Sequence, residues 1–147
     1  MNANRAKKRT EQAFVLDAYK RLRKKGVPSL WEASIMGRSA DLVYLEENCL
    51  FTIEFKLKDW RRGLRQARDH QIGGDFAYLC IPNWEPTEAL QAAAKDFGVG
   101  LFRFCEGLDW PFEMILPALR SPLTWPVIRE QLFGKLRVAT IPKYATS

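Results

Sequence analysis

The sequence predicts an α/β fold: a mixed β-sheet with helices on both faces. Three observations point there. Strand-like segments come in succession early in the chain and alternate with helix-like segments later. Cap and turn residues separate the segments at short intervals. Apolar residues make up 47% and aromatics 12% of 147 residues, enough for one full core without staples.

The elements follow in order. Thr10 is an N-cap for a helix running to about Lys25, stopped by Gly26 with Pro28 beyond. A strand is expected over 30–36, with a turn at 37–39. Next comes a hairpin of 41–46 and 49–58, bent at Glu47-Asn48. A helix over 59–72 ends at Gly73-Gly74. The segment 76–81 is short, apolar and closed by Pro82, which marks a buried strand. An Ala-rich helix over 87–97 ends at Gly98, and 99–104 is a further strand. After Cys105 the pattern weakens: Pro111, Pro117, Pro122 and Pro126 punctuate it, with one helix expected near 127–136. The expected organisation is a single domain, 1–147, made of a basic arm (1–9), a core (10–105) and a C-terminal extension (106–147).

No apolar run approaches the ~18 residues of a membrane helix. The basic stretch 1–9 is not followed by a hydrophobic segment and cleavage site, so it does not read as a secretory signal. Cys49, Cys80 and Cys105 are odd in number and widely spaced, which suggests neither a disulfide framework nor a zinc ribbon. A soluble, cytoplasmic protein is expected. The net charge of +6 is uneven: residues 1–25 hold nine basic and two acidic side chains, and the rest balances at −1. A second basic cluster runs through Lys56, Lys58, Arg61, Arg62, Arg65 and Arg68. Two such patches suit a polyanion, most simply nucleic acid, or are solvated surfaces.

The segment 50–58 alternates strictly, with Phe51, Ile53, Phe55 and Leu57 on one face and Thr52, Glu54, Lys56 and Lys58 on a wet one. A two-residue loop at Glu47-Asn48 would pair Glu46 with Cys49 and so set Asp41 opposite Glu54 on the same face. Two carboxylates in a cross-strand pair repel. A divalent cation between them removes that cost, and Mg²⁺ takes one or two carboxylates while keeping several waters. At 100° per residue, Glu11 shares a stripe with Val15, Ala18 and Leu22. There it is either a paired or metal-bound carboxylate, or an exposed first-turn acid favoured by the helix dipole.

Asp41 followed by Glu54-Phe55-Lys56 resembles the Asp…(Asp/Glu)-x-Lys signature of the PD-(D/E)XK nuclease superfamily, which includes restriction-endonuclease-like enzymes and Holliday-junction resolvases. The resemblance spans Thr10 to Phe104 and extends to the order of elements, a helix, three strands, a helix and a further strand. Glu11 and Gln66 match positions that members often or sometimes fill. Ala40 stands where the name-giving proline would be, a position that varies in the family.

The resemblance implies a restriction-endonuclease-like core and a metal-dependent deoxyribonuclease. Asp41 and Glu54 would hold Mg²⁺, with Mn²⁺ as a substitute and Glu11 in support. Lys56, about 7 Å along the strand from Glu54, would orient the attacking water or steady the developing charge. Gln66 would position the phosphate or Lys56. Lys58, Arg61, Arg62 and Arg65 would track a DNA backbone, as would Lys7, Lys8 and Arg9 in the arm. A homodimer, with the segment 110–125 as its interface, would cut both strands. The alternative is a non-catalytic DNA-binding or interaction module of the same fold, though a pure binder has little reason to keep the charged cluster. His70 is the sole histidine, so a Ser-His-Asp triad has little to draw on; at a helix end it reads as a dipole partner. No P-loop is present, and Gly98-Val99-Gly100 precedes a strand rather than following one. Trp60 reads as core.

Overall fold

The structure, a computed structural model, describes residues 9–82 and 85–140. The chain lays down α1 (Glu11–Lys24), β1 (Ser29–Ile35), β2 (Arg38–Glu46), β3 (Cys49–Phe55) and α2 (Trp60–Asp69), which runs into a 3₁₀ turn (His70–Ile72). It continues with β4 (Phe76–Ile81), α3 (Glu88–Phe97), β5 (Gly100–Phe104), β6 (Phe112–Leu116) and α4 (Pro126–Thr140). All six strands form one sheet in chain order. The β3–β4 and β4–β5 pairs are parallel and the rest antiparallel, so the sheet is mixed, as the sequence predicts.

Local chemistry places the elements. Thr10 and Thr87 cap α1 and α3, their hydroxyls accepting the Ala13 and Leu90 N–H groups at 3.1 Å. Glu47 and Asn48 both take positive φ, 52° and 63°, which gives the two-residue hairpin turn whose twist suits the flanking strands. The expected register follows: Glu46 pairs with Cys49 and Leu42 with Ile53.

The faces are unequally loaded. On one, α1 alone contributes Phe14, Val15, Ala18 and Leu22 to an aromatic core with Tyr44, Phe55, Tyr78, Phe102 and Phe104. On the other, α2 and α3 cover β4 and β5, and α4 covers β1 and β2 through Ile128, Leu132 and Leu136. The wet face expected of β3 is therefore absent: Thr52 and Glu54 are 1% and 4% exposed. The strand also ends at Phe55, leaving Lys58 in the loop that follows.

Residues 106–140 complete the sheet and the core. Proline at both ends hides β6 from a period-based reading, yet an edge strand tolerates prolines at its ends. Trp110, expected in an interface segment, packs edge-on against Tyr44 at 5.7 Å. The tie that seats α4 is Asp75. Its carboxylate accepts the Leu50 N–H at 2.8 Å and the Arg129 guanidinium at 3.0 Å, while Arg129 also donates to the Asn48 carbonyl. No helix among the described residues is long and apolar enough to cross a membrane.

Asp75 is 5% exposed, so its removal strands both the Leu50 N–H and Arg129. Asp75→Ala is expected to cost about 3 kcal/mol in urea unfolding. A cost below about 1 kcal/mol would mean that α4 is seated by its apolar face alone.

Candidate active site

The site forms where β3 loses its neighbour. The β2–β3 ladder stops at Leu42 and Ile53, one step short of Asp41 and Glu54. On the other side of β2 the ladder with β1 skips the Glu32–Asp41 step, where Glu32 turns to a φ of 53°. The N–H groups of Phe55 and Leu57, which point toward β2, therefore need other acceptors. Asp41 Oδ2 takes the first and Glu11 Oε2 the second, both at 2.8 Å. Between them Lys56 points its N–H the opposite way, to the Cys80 carbonyl of β4 at 3.1 Å. Asp41 and Glu11 thus finish the sheet with side chains where backbone runs out.

Glu54, the residue before Phe55, has no such task. It is buried, shares a side-chain hydrogen bond with Asp41, and its Oε1 has no partner. Burial above all, then the neighbouring Asp41 charge, pushes its carboxyl up to about 8. Asp41 is raised as well, again chiefly by burial, with the Phe55 N–H and the Lys56 charge opposing. Glu11 raises both, which places all three acids in one electrostatic neighbourhood. They do not close into a cage: among the described residues no three His, Cys, Asp or Glu side chains are grouped to hold a metal. One oxygen of Glu11 is engaged at the end of β3, as one oxygen of Asp41 is. The Asp41–Glu54 pair could hold a divalent ion. Two hard-oxygen carboxylates, one with a buried orphan oxygen, fit Mg²⁺, which needs only one or two and keeps its waters.

Lys56 emerges half-buried beside this pair and lowers the pKa of both acids without a direct ion pair among the described residues. Its stem is held by α2. A Cβ added at Gly63 would fall 2.5 Å from Lys56 Cγ and 2.8 Å from Leu79 Cδ1, so only glycine lets the helix lie this close to the lysine. Gln66, one turn further, has a buried Oε1 without a hydrogen-bond partner among the described residues. It lines a cleft of about 290 Å³ with Arg38, Ser39, Asp69 and His70.

His70 is the residue the sequence reading misjudged. It is 2% exposed, its Nδ1 lies 3.9 Å from Glu54 Oε1 without a hydrogen bond, and its ring bonds the Ser39 backbone. Burial lowers its pKa to about 4, so it is neutral and does not act as a cationic dipole partner. The helical stripe of Gly63, Ala67 and His70 carried that signal, since both preceding members are buried. The basic residues divide. Lys58, Arg61, Arg62 and Arg65 are exposed, as a backbone-tracking face requires. Arg9 instead pairs with Asp17 and Glu106 and lies over the Phe14 ring, which commits it to the fold. Lys7 and Lys8 lie outside the described residues.

No family model matches the sequence, and no curated protein matches it. Among solved structures, an XisH family protein from Nostoc punctiforme PCC 73102 aligns with a TM-score of 0.51 and 15% identity, over 69% of this chain and 98% of that one. The six-stranded mixed sheet flanked by helices is consistent with a restriction-endonuclease-like architecture, and at this identity the likeness concerns the fold alone. SfsA from Pyrococcus furiosus in complex with Ca²⁺ aligns with a TM-score of 0.40 and 12% identity, over 74% of this chain and 62% of that one.

The two buried titrating groups give the metal-free protein a defined pH response. Glu54 holds a proton up to about pH 8 that the unfolded chain releases at 4.5, so its contribution to stability is lost as pH rises through that window. His70 refuses a proton down to about pH 4 that the unfolded chain takes up at 6.5, so its contribution is lost as pH falls. The two slopes cancel between 4.5 and 6.5. Unfolding in EDTA is expected to show stability falling by about 2 kcal/mol between pH 6.5 and 8. Glu54→Gln should abolish the fall; if the variant keeps it, the protonated Glu54 is wrong.

Proposed function

We propose that the chain is a divalent-metal-dependent nuclease that hydrolyses phosphodiester bonds in DNA. The observation that supports it most is Glu54. A buried carboxylate with an orphan oxygen, beside a second carboxylate, is costly in a fold that gains nothing from it. A metal held by Asp41 and Glu54 would polarise the phosphoryl oxygen and acidify a bound water. The protein's own groups would do the rest. Lys56 would set its ammonium against the charge growing on the phosphate or orient the attacking water. Glu11 would fix the backbone at Leu57 and thereby the direction in which Lys56 leaves the strand. Gln66 would hold the phosphate or the lysine with its amide, and Lys58, Arg61, Arg62 and Arg65 would follow the DNA backbone.

A second reading, a binding module of the same fold that has no chemistry, has one observation in its favour. Asp41 and Glu11 complete the β3 ladder, so their presence has a structural explanation independent of catalysis.

The two readings separate on cleavage of labelled linear, supercoiled, single-stranded and branched DNA with Mg²⁺, Mn²⁺ or EDTA. The nuclease cuts only with metal, and Glu54→Ala and Lys56→Ala should each lower the rate by about 10²–10³. Equal residual cutting in both variants and in wild type would assign the activity to a contaminant. Metal-dependent stabilisation provides an independent check: Mg²⁺ should raise the melting temperature of wild type and leave that of Glu54→Ala unchanged.

A further inference from the structure

A groove of about 270 Å³ runs between α2 and α3 on the flank of α2 that faces α3. Its walls are the half-buried rings of Trp60 and Phe97 with Leu64 between them, and its rim is Arg61, Arg65 and Arg68. The guanidinium of Arg61 lies 4.3 Å over the Trp60 ring and that of Arg68 4.7 Å over the Phe97 ring. Among the described residues none of the three, nor Arg62, forms an ion pair with a carboxylate. The only acid of α2 itself, Asp69, is taken by Arg38 at 2.7 Å. Stacked on a ring, a guanidinium still presents its N–H fork outward, where it suits a phosphate.

Charge and shape together narrow the occupant. Arginines alone would serve any polyanion, duplex DNA included. An apolar slot walled by aromatic rings accepts the flat face of a base, and a duplex keeps its bases stacked inside. The slot and the candidate catalytic lysine share one helix: Gly63 of α2 touches the Lys56 stem, while Trp60, Leu64 and Arg68 line the groove on another side of it. A helix with its side chains is about 10 Å across. A single strand crossing α2 would reach both.

We propose that this groove binds unpaired bases, so that the DNA held beside the carboxylates is single-stranded or contains a single-stranded segment. The inference rests on the nuclease reading for the meaning of that placement, but binding itself does not require cleavage.

The test measures anisotropy of labelled oligo-dT and of a duplex of equal length in EDTA, where no cutting occurs. Wild type is expected to prefer the single strand. Trp60→Leu/Phe97→Leu keeps apolar volume and removes the stacking surface; it should weaken oligo-dT by about 10- to 100-fold and leave duplex affinity within 2-fold. Arg61→Ala/Arg65→Ala/Arg68→Ala, which leaves the core alone, should weaken both ligands and flatten the salt dependence of each. Equal loss of single-strand and duplex binding in the leucine variant, or no loss, overturns the groove. So does a leucine variant that turns a dimeric wild type into a monomer without changing DNA affinity, because the occupant is then a second copy. Wild type that binds oligo-dT but shows no metal-dependent cutting would defeat the nuclease and spare the groove, whereas metal-dependent cutting indifferent to the leucine substitutions would do the reverse.

Discussion

The site depends on a strand that ends inside the sheet. Because β2 and β3 part after Leu42 and Ile53, the N–H groups of Phe55 and of Leu57 just beyond β3 face a gap, and a buried N–H without an acceptor is expensive. Asp41 and Glu11 close the gap from two different elements. Each carboxylate is therefore anchored by a backbone hydrogen bond before any ligand arrives, and the acids cannot swing away to solvent. Glu54 is buried near both acids, and burial first and the Asp41 and Glu11 charges after it raise its pKa. A site assembled this way is preorganised by the same bonds that complete the fold.

The arrangement also explains why a charged cluster is tolerated in a protein of ordinary size. In the metal-free state a proton on Glu54 relieves the repulsion, and a nearby lysine lowers the pKa of both acids. A cation would relieve the same repulsion more completely. The repulsion that favours the proton would equally favour a divalent ion, so stability and any such affinity would be opposite sides of one electrostatic balance. Gly63 belongs to this balance: by letting α2 settle onto the lysine stem, it holds the positive charge close to the acids without neutralising them in a direct ion pair.

Much of this was legible in the chain. Thr10, Gly26, Thr87 and Gly98 marked helix ends because capping is local chemistry, and the Glu47-Asn48 turn set a register in which Asp41 meets Glu54. Other features were not legible, for identifiable reasons. The end of β3 is invisible to a period-two pattern, since the alternation through Lys58 continues after the pairing has stopped. His70 at a helix end reads as a dipole partner, whereas its place on the stripe of Gly63 and Ala67 buries it. Arg9 belonged by sequence to a basic arm, yet Asp17, one of its partners, lies eight residues away on the exposed side of α1, and Glu106 lies far along the chain.

The amino-acid sequence by itself determined the order of elements, the pairing of the hairpin and the residue types that meet in it, because caps, turns and alternation act over a few residues. Only the tertiary structure decided which acids work as ladder acceptors and which is left buried with an unmatched oxygen. It alone put His70 against Glu54 and seated the tail on Asp75. Those outcomes depend on where β2 leaves β3 and how closely α2 approaches, and such distances are set by the packing of segments far apart in the chain.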